Sequence, residues 1–196
     1  MSRPSLKEII EIVRQDCAMP LSRTAQRQPF PVDVFADVIS ANDQYAAHYS
    51  YPGLSGTAAR GLAVVTCMDS RIDPLNVLGM QPGDVKILRN AGARVTDDML
   101  RTLILAIYLL GVNRVLVMPH TDCRMAQGLE HEIHEAIRQA SGVDTRSVEF
   151  RTVTDQVSAV VTDVVRIRSH PLLRDDIVVG AAILDIKTGR LNPVEA

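Results

Sequence analysis

Two short segments carry side chains suited to chemistry. The first is Val64-Val65-Thr66-Cys67-Met68-Asp69-Ser70-Arg71, and the second is Val117-Met118-Pro119-His120-Thr121-Asp122-Cys123. Each sits just past the carboxyl end of an apolar, Val-rich run of the kind that forms buried strands. Two cysteines and a histidine at adjoining strand ends make a soft sulfur–nitrogen donor set suited to zinc. A fourth position is left for water or for the carboxylate of Asp69. Each signal is weak alone. A lone cysteine after a strand is usually a small buried hydrophobe, and an H-x-x-C pair, or an Asp and an Arg two apart, is frequent by chance. Taken jointly, at the mouths of two expected strands, they favour a metal site.

The elements that must hold these residues alternate along the chain. Leu62–Thr66, Val85–Arg89, Arg114–Met118 and Ile177–Ile183 read as strands. Residues 97–111, 125–140 and 155–168 read as helices. For the first of these, Thr96 is a good N-cap, Asp97 and Asp98 suit the positive end, and Gly111 stops it. It is apolar nearly all round, so it is expected to be covered on both sides. Strands separated by helices predict an α/β fold, a central parallel β-sheet with flanking helices. Such sheets bind ligands beyond the carboxyl ends of their strands, where strand order reverses. Ahead of this body, residues 5–15 and 32–49 read as helices, joined through the irregular stretch Pro20–Pro31. The chain thus reads as a single domain over 1–196, with an N-terminal helical arm over 1–55 and an α/β body over 56–196.

Composition narrows the function classes. A formal net charge of −2 over 196 residues gives no basic excess, so neither nucleic acid nor an anionic membrane is expected as a partner. Only 4% of residues are aromatic and there is no Trp, which argues against a base-stacking platform. The longest apolar run, Leu103–Val112, is far short of the ~20 residues that span a bilayer. Lys7, Glu8 and Glu11 interrupt the stretch where a secretory signal would be apolar, so a cytoplasmic location is expected. Three cysteines, an odd number, do not make a disulfide framework.

The segments C-M-D-S-R (Cys67–Arg71), R-N-A-G (Arg89–Gly92) and H-T-D-C (His120–Cys123), in this order and on these strands, resemble the β-class carbonic anhydrases. The likeness runs from about Leu62 to Met125, and more loosely to the D-I-K-T-G-R-L that ends at Leu191. It implies that Cys67, His120 and Cys123 ligate Zn2+. Asp69 and Arg71 would be the catalytic Asp–Arg dyad, with Asp69 a possible fourth ligand in a closed state. It also implies an antiparallel edge strand beside the parallel sheet, and a homodimer or dimer of dimers whose N-terminal helices pack on the partner. The implied activity is reversible hydration of carbon dioxide to bicarbonate and a proton through a zinc-bound hydroxide, with carbon dioxide and bicarbonate as the small-molecule partners.

Two other readings share the donor set. One is a zinc hydrolase of carbonyl sulfide or carbon disulfide, linear electrophiles like carbon dioxide. The other is a non-catalytic, zinc-stabilised homologue with Asp69 permanently on the metal. A thiol-redox role is remote, because there is no C-x-x-C pair. The chain departs from the family pattern at Arg124, where glycine is usual, and at Ala93-Arg94, where a small or polar residue often follows N-A-G. These positions bear on pocket width, charge and substrate rather than on the metal. Arg124 is expected to point away from zinc into a dimer contact; the alternative is that it lines the cleft and holds an anion. Cys17 has no ligand neighbour, His48 and His170 adjoin turns, and His131 and His134 read as a solvated helix face. Gly92 is expected to matter through its backbone, letting the chain pass close to the pocket.

Overall fold

The computed structural model describes residues 29–196. The helix expected over 5–15 and Cys17 lie outside them. The chain divides between Ser50 and Tyr51 into two units. In the first, a 3-10 turn over Val32–Phe35 leads into α1 (Ala36–Ala47), with no buried side chain in either. Phe30 and Phe35 set their ring centroids 5.4 Å apart.

The second unit is built on a five-stranded sheet of β1 (Leu62–Cys67), β2 (Val85–Asn90), β3 (Arg114–Met118), β4 (Val178–Leu184) and β5 (Leu191–Val194), in the order β2-β1-β3-β4-β5. The first four are parallel, and β5 runs antiparallel to β4 at the edge. β1 is buried along its whole length, as its continuous apolar sequence requires of a central parallel strand. Ala63 and Val65 enter the core on one face, and Leu62 and Val64 the core on the other. β2 lies to one side of β1 and β3 to the other, so strand order reverses at β1. A crevice therefore opens at the carboxyl ends of β1 and β3.

Four helices complete this unit: α2 (Pro74–Leu78), α3 (Asp97–Leu109), α4 (Glu130–Ser141) and α5 (Gln156–Arg168). The short α2, with no counterpart in the sequence reading, has complete punctuation: Asp73 caps it, Pro74 opens it, and Gly79 in the left-handed region (φ +63°) ends it. α3 starts where Thr96 accepts from the Met99 amide and buries Met99, Leu100, Leu103, Ala106 and Ile107. Leu105, Tyr108 and Leu109 on its other side are exposed among the described residues. α5 is capped by Asp155 and buries Val160, Asp163, Val164 and Ile167 against the same core as α3. The helix expected over 125–140 is instead a 3-10 turn, Arg124–Ala126, followed after a break by α4. Gly128, at positive φ, lies in the break. No helix among the described residues is long and apolar enough to cross a membrane.

Candidate metal centre

Cys67 is the last residue of β1 and lies in register with Asn90 of β2. From the end of β3 the chain passes through Pro119 to His120, which forms an isolated parallel bridge with Leu184. Thr66 Oγ1 donates to Met118 O at 2.8 Å, tying the two strand ends together, and Gln156 Nε2 donates to His120 O. Two loops distant in sequence thus meet in the crevice. Cys67, His120 and Cys123 are all buried, and their ligand atoms lie within 4.8 Å of one another.

This cluster fits a tetrahedral metal. The two Sγ atoms are 3.9 Å apart. Two thiolates sharing one zinc at ~2.3 Å each would stand about 3.8 Å apart. His120 Nδ1 lies 2.8 Å from Thr121 O. A carbonyl oxygen only accepts, so Nδ1 carries the proton and Nε2 presents a bare lone pair, the usual way a ligating histidine is oriented. Nε2 is buried and has no hydrogen-bond partner. An orphaned buried acceptor is costly, and a cation beside the two sulfurs would satisfy it.

Protons are shared unequally among these three groups. The Cys123 thiol donates toward Cys67, whose pKa is brought down to about 3, with His120 and the Asp69 and Gly92 amides adding to the effect against burial. Cys123, sharing that proton and buried, is pushed up. The neighbouring Cys67 raises His120. Gly92 meets the expectation for it: it has φ +75°, and a Cβ there would stand 3.2 Å from the Met125 side chain.

Asp69 lies on the rim, with Oδ2 3.7 Å from His120 Nε2. Arg71 holds it on both oxygens: Nε and the backbone amide donate to Oδ1 at 3.0 and 2.9 Å, and Nη2 to Oδ2 at 2.7 Å. These bonds keep the Asp69 carboxyl well below the usual carboxylate range. The far edge of the same guanidinium reaches Asp122, where Nη1 donates to Oδ2 at 2.9 Å. Arg89 shapes the first loop from beneath by donating to the carbonyls of Cys67, Asp69 and Ile72.

The sequence reading did not single out Asp122, Arg89 or Gln156. Asp122 and Arg89 each stood in a quoted segment, Asp122 between His120 and Cys123 and Arg89 at the head of R-N-A-G, but with no role attached; Gln156 acts on a backbone carbonyl and leaves no pattern in sequence.

A cleft of about 380 Å³ opens over the cluster, lined by Met68, Asp69, Arg71, Gly92, Arg124 and Met125 among others. An adjoining, mostly apolar groove shares Met68, Arg124 and Met125 and runs on to Ile133, Ile137 and Phe150. Arg124 lines both the cleft and the groove. Its hydrogen bond is a long one, 3.4 Å from Nη1 to Gln127 Oε1. The Arg94 guanidinium turns inward to Asp163. Among the described residues no other histidine belongs to the cluster. His134 bonds Thr145 and stacks near Phe150, His48 bonds Gln44 O, and His170 accepts from the Leu172 amide. His131 lines a separate surface hollow with His134.

Comparison with known proteins agrees with this geometry. The family described as carbonic anhydrase matches residues 62–191. Beta-carbonic anhydrase 1 of Mycobacterium tuberculosis is 33% identical over 159 residues, covering 81% of this chain and 96% of that protein. A crystal structure of carbonic anhydrase from Streptococcus mutans superposes with a TM-score of 0.79 at 34% identity, covering 86% of this chain and all (100%) of that one. A carbon disulfide hydrolase of Acidithiobacillus thiooxidans is 27% identical over 178 residues, covering 79% of this chain and 81% of that protein.

Proposed function

The chain belongs to the β-class carbonic anhydrase family, and from that premise we propose that it catalyses the reversible hydration of carbon dioxide to bicarbonate and a proton at a zinc ion held by Cys67, His120 and Cys123. The observation that carries this reading is the bare, buried Nε2 of His120 facing two sulfurs 3.9 Å apart. Zinc bound by such donors supplies the Lewis acidity that makes water a nucleophile near neutral pH.

The side chains do the rest. Asp69, kept ionised by Arg71, can only accept hydrogen bonds, so its rim position orients the attacking water by its proton. A carboxylate whose pKa is so depressed does not retain that proton, which passes on to solvent. Arg71 keeps the Asp69 oxygens engaged and away from the donor set. Met68 and Met125 give the cleft an apolar wall suited to an uncharged linear substrate. Arg124 places a positive charge where an anionic product leaves.

The Asp69–Arg71 pairing speaks against the non-catalytic alternative, which needs Asp69 on the metal. Hydrolysis of carbon disulfide or carbonyl sulfide is the second reading, favoured by the likeness to the Acidithiobacillus hydrolase. The exposed faces of α1 and α3, with Val38 and Tyr45 on one and Tyr108 and Leu109 on the other, support assembly as a homodimer or dimer of dimers. Stopped-flow hydration at about pH 7 and 8.5, with zinc measured on the same sample and carbon disulfide as a competing substrate, tests the reading. Zinc-bearing protein that hydrates carbon dioxide supports it. Turnover of carbon disulfide alone transfers the assignment to the second reading.

A further inference from the structure

We propose that Asp122 is a positioning residue for the Asp69–Arg71 pair, anchoring the guanidinium so that Asp69 stays off the metal position. The inference rests on the metal-site reading above and concerns what keeps that site open.

Asp69 and Arg71 are two residues apart on one loop, so their mutual bonds alone do not fix either against the other ligand loop. Asp69 Oδ2 already lies 3.7 Å from His120 Nε2, and a modest side-chain rotation would bring it into the donor set. What opposes that rotation is Arg71, whose side chain is 47% exposed and long. Holding such a side chain in one geometry costs rotamer entropy, and an exposed pair recovers little of it.

Asp122 supplies the missing anchor. It sits between His120 and Cys123, on the loop opposite Arg71. Its Oδ2 accepts from Arg71 Nη1 at 2.9 Å, and its backbone carbonyl accepts from Nη2 at 3.1 Å. The guanidinium therefore has one edge on Asp69 and the other on Asp122, and ties the two ligand loops together. Asp122 is itself held in place. Its other oxygen accepts from Gln127 Nε2 at 2.9 Å. Its backbone lies in the left-handed region (φ +55°), which Asp tolerates better than most residues. Strain of this sort persists where surrounding bonds over-determine the conformation. The opposite possibility is that Asp122 competes with Asp69 for Arg71 and loosens the pair. The simultaneous bonds to both carboxylates favour anchoring, and the two ideas predict opposite signs.

The test uses cobalt(II)-substituted full-length protein, whose visible spectrum reports the metal's ligands, titrated with thiocyanate. The anion binds only where the fourth position is exchangeable. Wild type, Asp122→Ala, Asp122→Asn and Arg71→Ala are compared. Asp122→Ala is expected to retain stoichiometric cobalt but raise the apparent thiocyanate dissociation constant about two- to fivefold, the span of an exposed ion pair. Asp122→Asn, which keeps an acceptor and suits the same backbone, should shift it less and guards against misfolding of the Ala variant. Arg71→Ala marks the closed limit. Unchanged or tighter thiocyanate binding in both Asp122 variants overturns the proposal. Wild-type protein without thiolate–cobalt absorption would instead overturn the metal-site reading itself.

Discussion

Arg94 and Asp163, 69 residues apart, form an ion pair in which Nε donates to Oδ2 at 2.7 Å, with the two side chains only 13% and 3% exposed. Arg94 Nη1 also donates to Arg151 O, and the Asn90 side chain bonds both the amide and the carbonyl of Arg94. The turn that carries Gly92 past the cluster is thereby fastened to α5. Removing one partner leaves a buried charge uncompensated, so Asp163→Ala should destabilise the fold by about 3–5 kcal/mol. Chemical denaturation measures this. A cost well under about 1 kcal/mol would mean that the pair is not holding the turn.

Cys67→Ala, His120→Ala and Cys123→Ala should each lower zinc from one per chain to well below that, because each removes a donor from a buried set. Elemental analysis of purified protein decides it, with circular dichroism to show that the variants are folded.

Removal of the metal should expose an unusual thiolate. The Cys67 pKa is lowered, so its ionised form is present above about 3, whereas an ordinary thiol ionises near 8.5. Chelator-treated protein should therefore keep ultraviolet thiolate absorbance at about pH 5, where a free cysteine has lost it. That absorbance should fall only as the pH approaches 3, and Cys67→Ala should abolish it.

Arg71→Ala should keep the metal and lose turnover at neutral pH, since Asp69 loses the partner that occupies both its oxygens. Activity should recover in part as pH rises, because hydroxide competes better with a carboxylate for the metal. Hydration assays across about pH 6–9 give the profile. A variant as active as wild type over that range would remove Arg71 from the gating role.

Arg124→Gly should leave zinc content unchanged and alter inhibition by small anions, because Arg124 lines the cleft and the hydrogen bond of its guanidinium to Gln127 is long. The difference from wild type should shrink in high salt, since screening acts on exposed charges. Unaltered anion inhibition with a weakened oligomer would return Arg124 to an interface role.

Four strands and α3 were legible in the sequence for a physical reason. Buried parallel strands need continuous apolar runs, and a helix start needs a capping oxygen such as that of Thr96. The donor residues were legible because Cys67 ends β1 and His120 and Cys123 lie on the loop that leaves β3, which is where an open sheet places its crevice. The α4 boundary was misread. Periodicity does not register the 3-10 turn at Arg124–Ala126, where the chain must bend around Cys123.

Sequence by itself determined which side chains are offered to the site and at which strand ends. The tertiary structure decided how their polar groups are spent. Arg94 and Arg124 look alike in sequence, as unexpected charges beside the motifs, yet one is neutralised by Asp163 and the other lines the cleft. Asp122 was part of a quoted motif, but its role depends on Arg71 arriving from another loop. Hydrogen bonds and ion pairs act over about 3 Å. The partner that settles a charged side chain's direction is chosen by the fold that brings distant loops within that range.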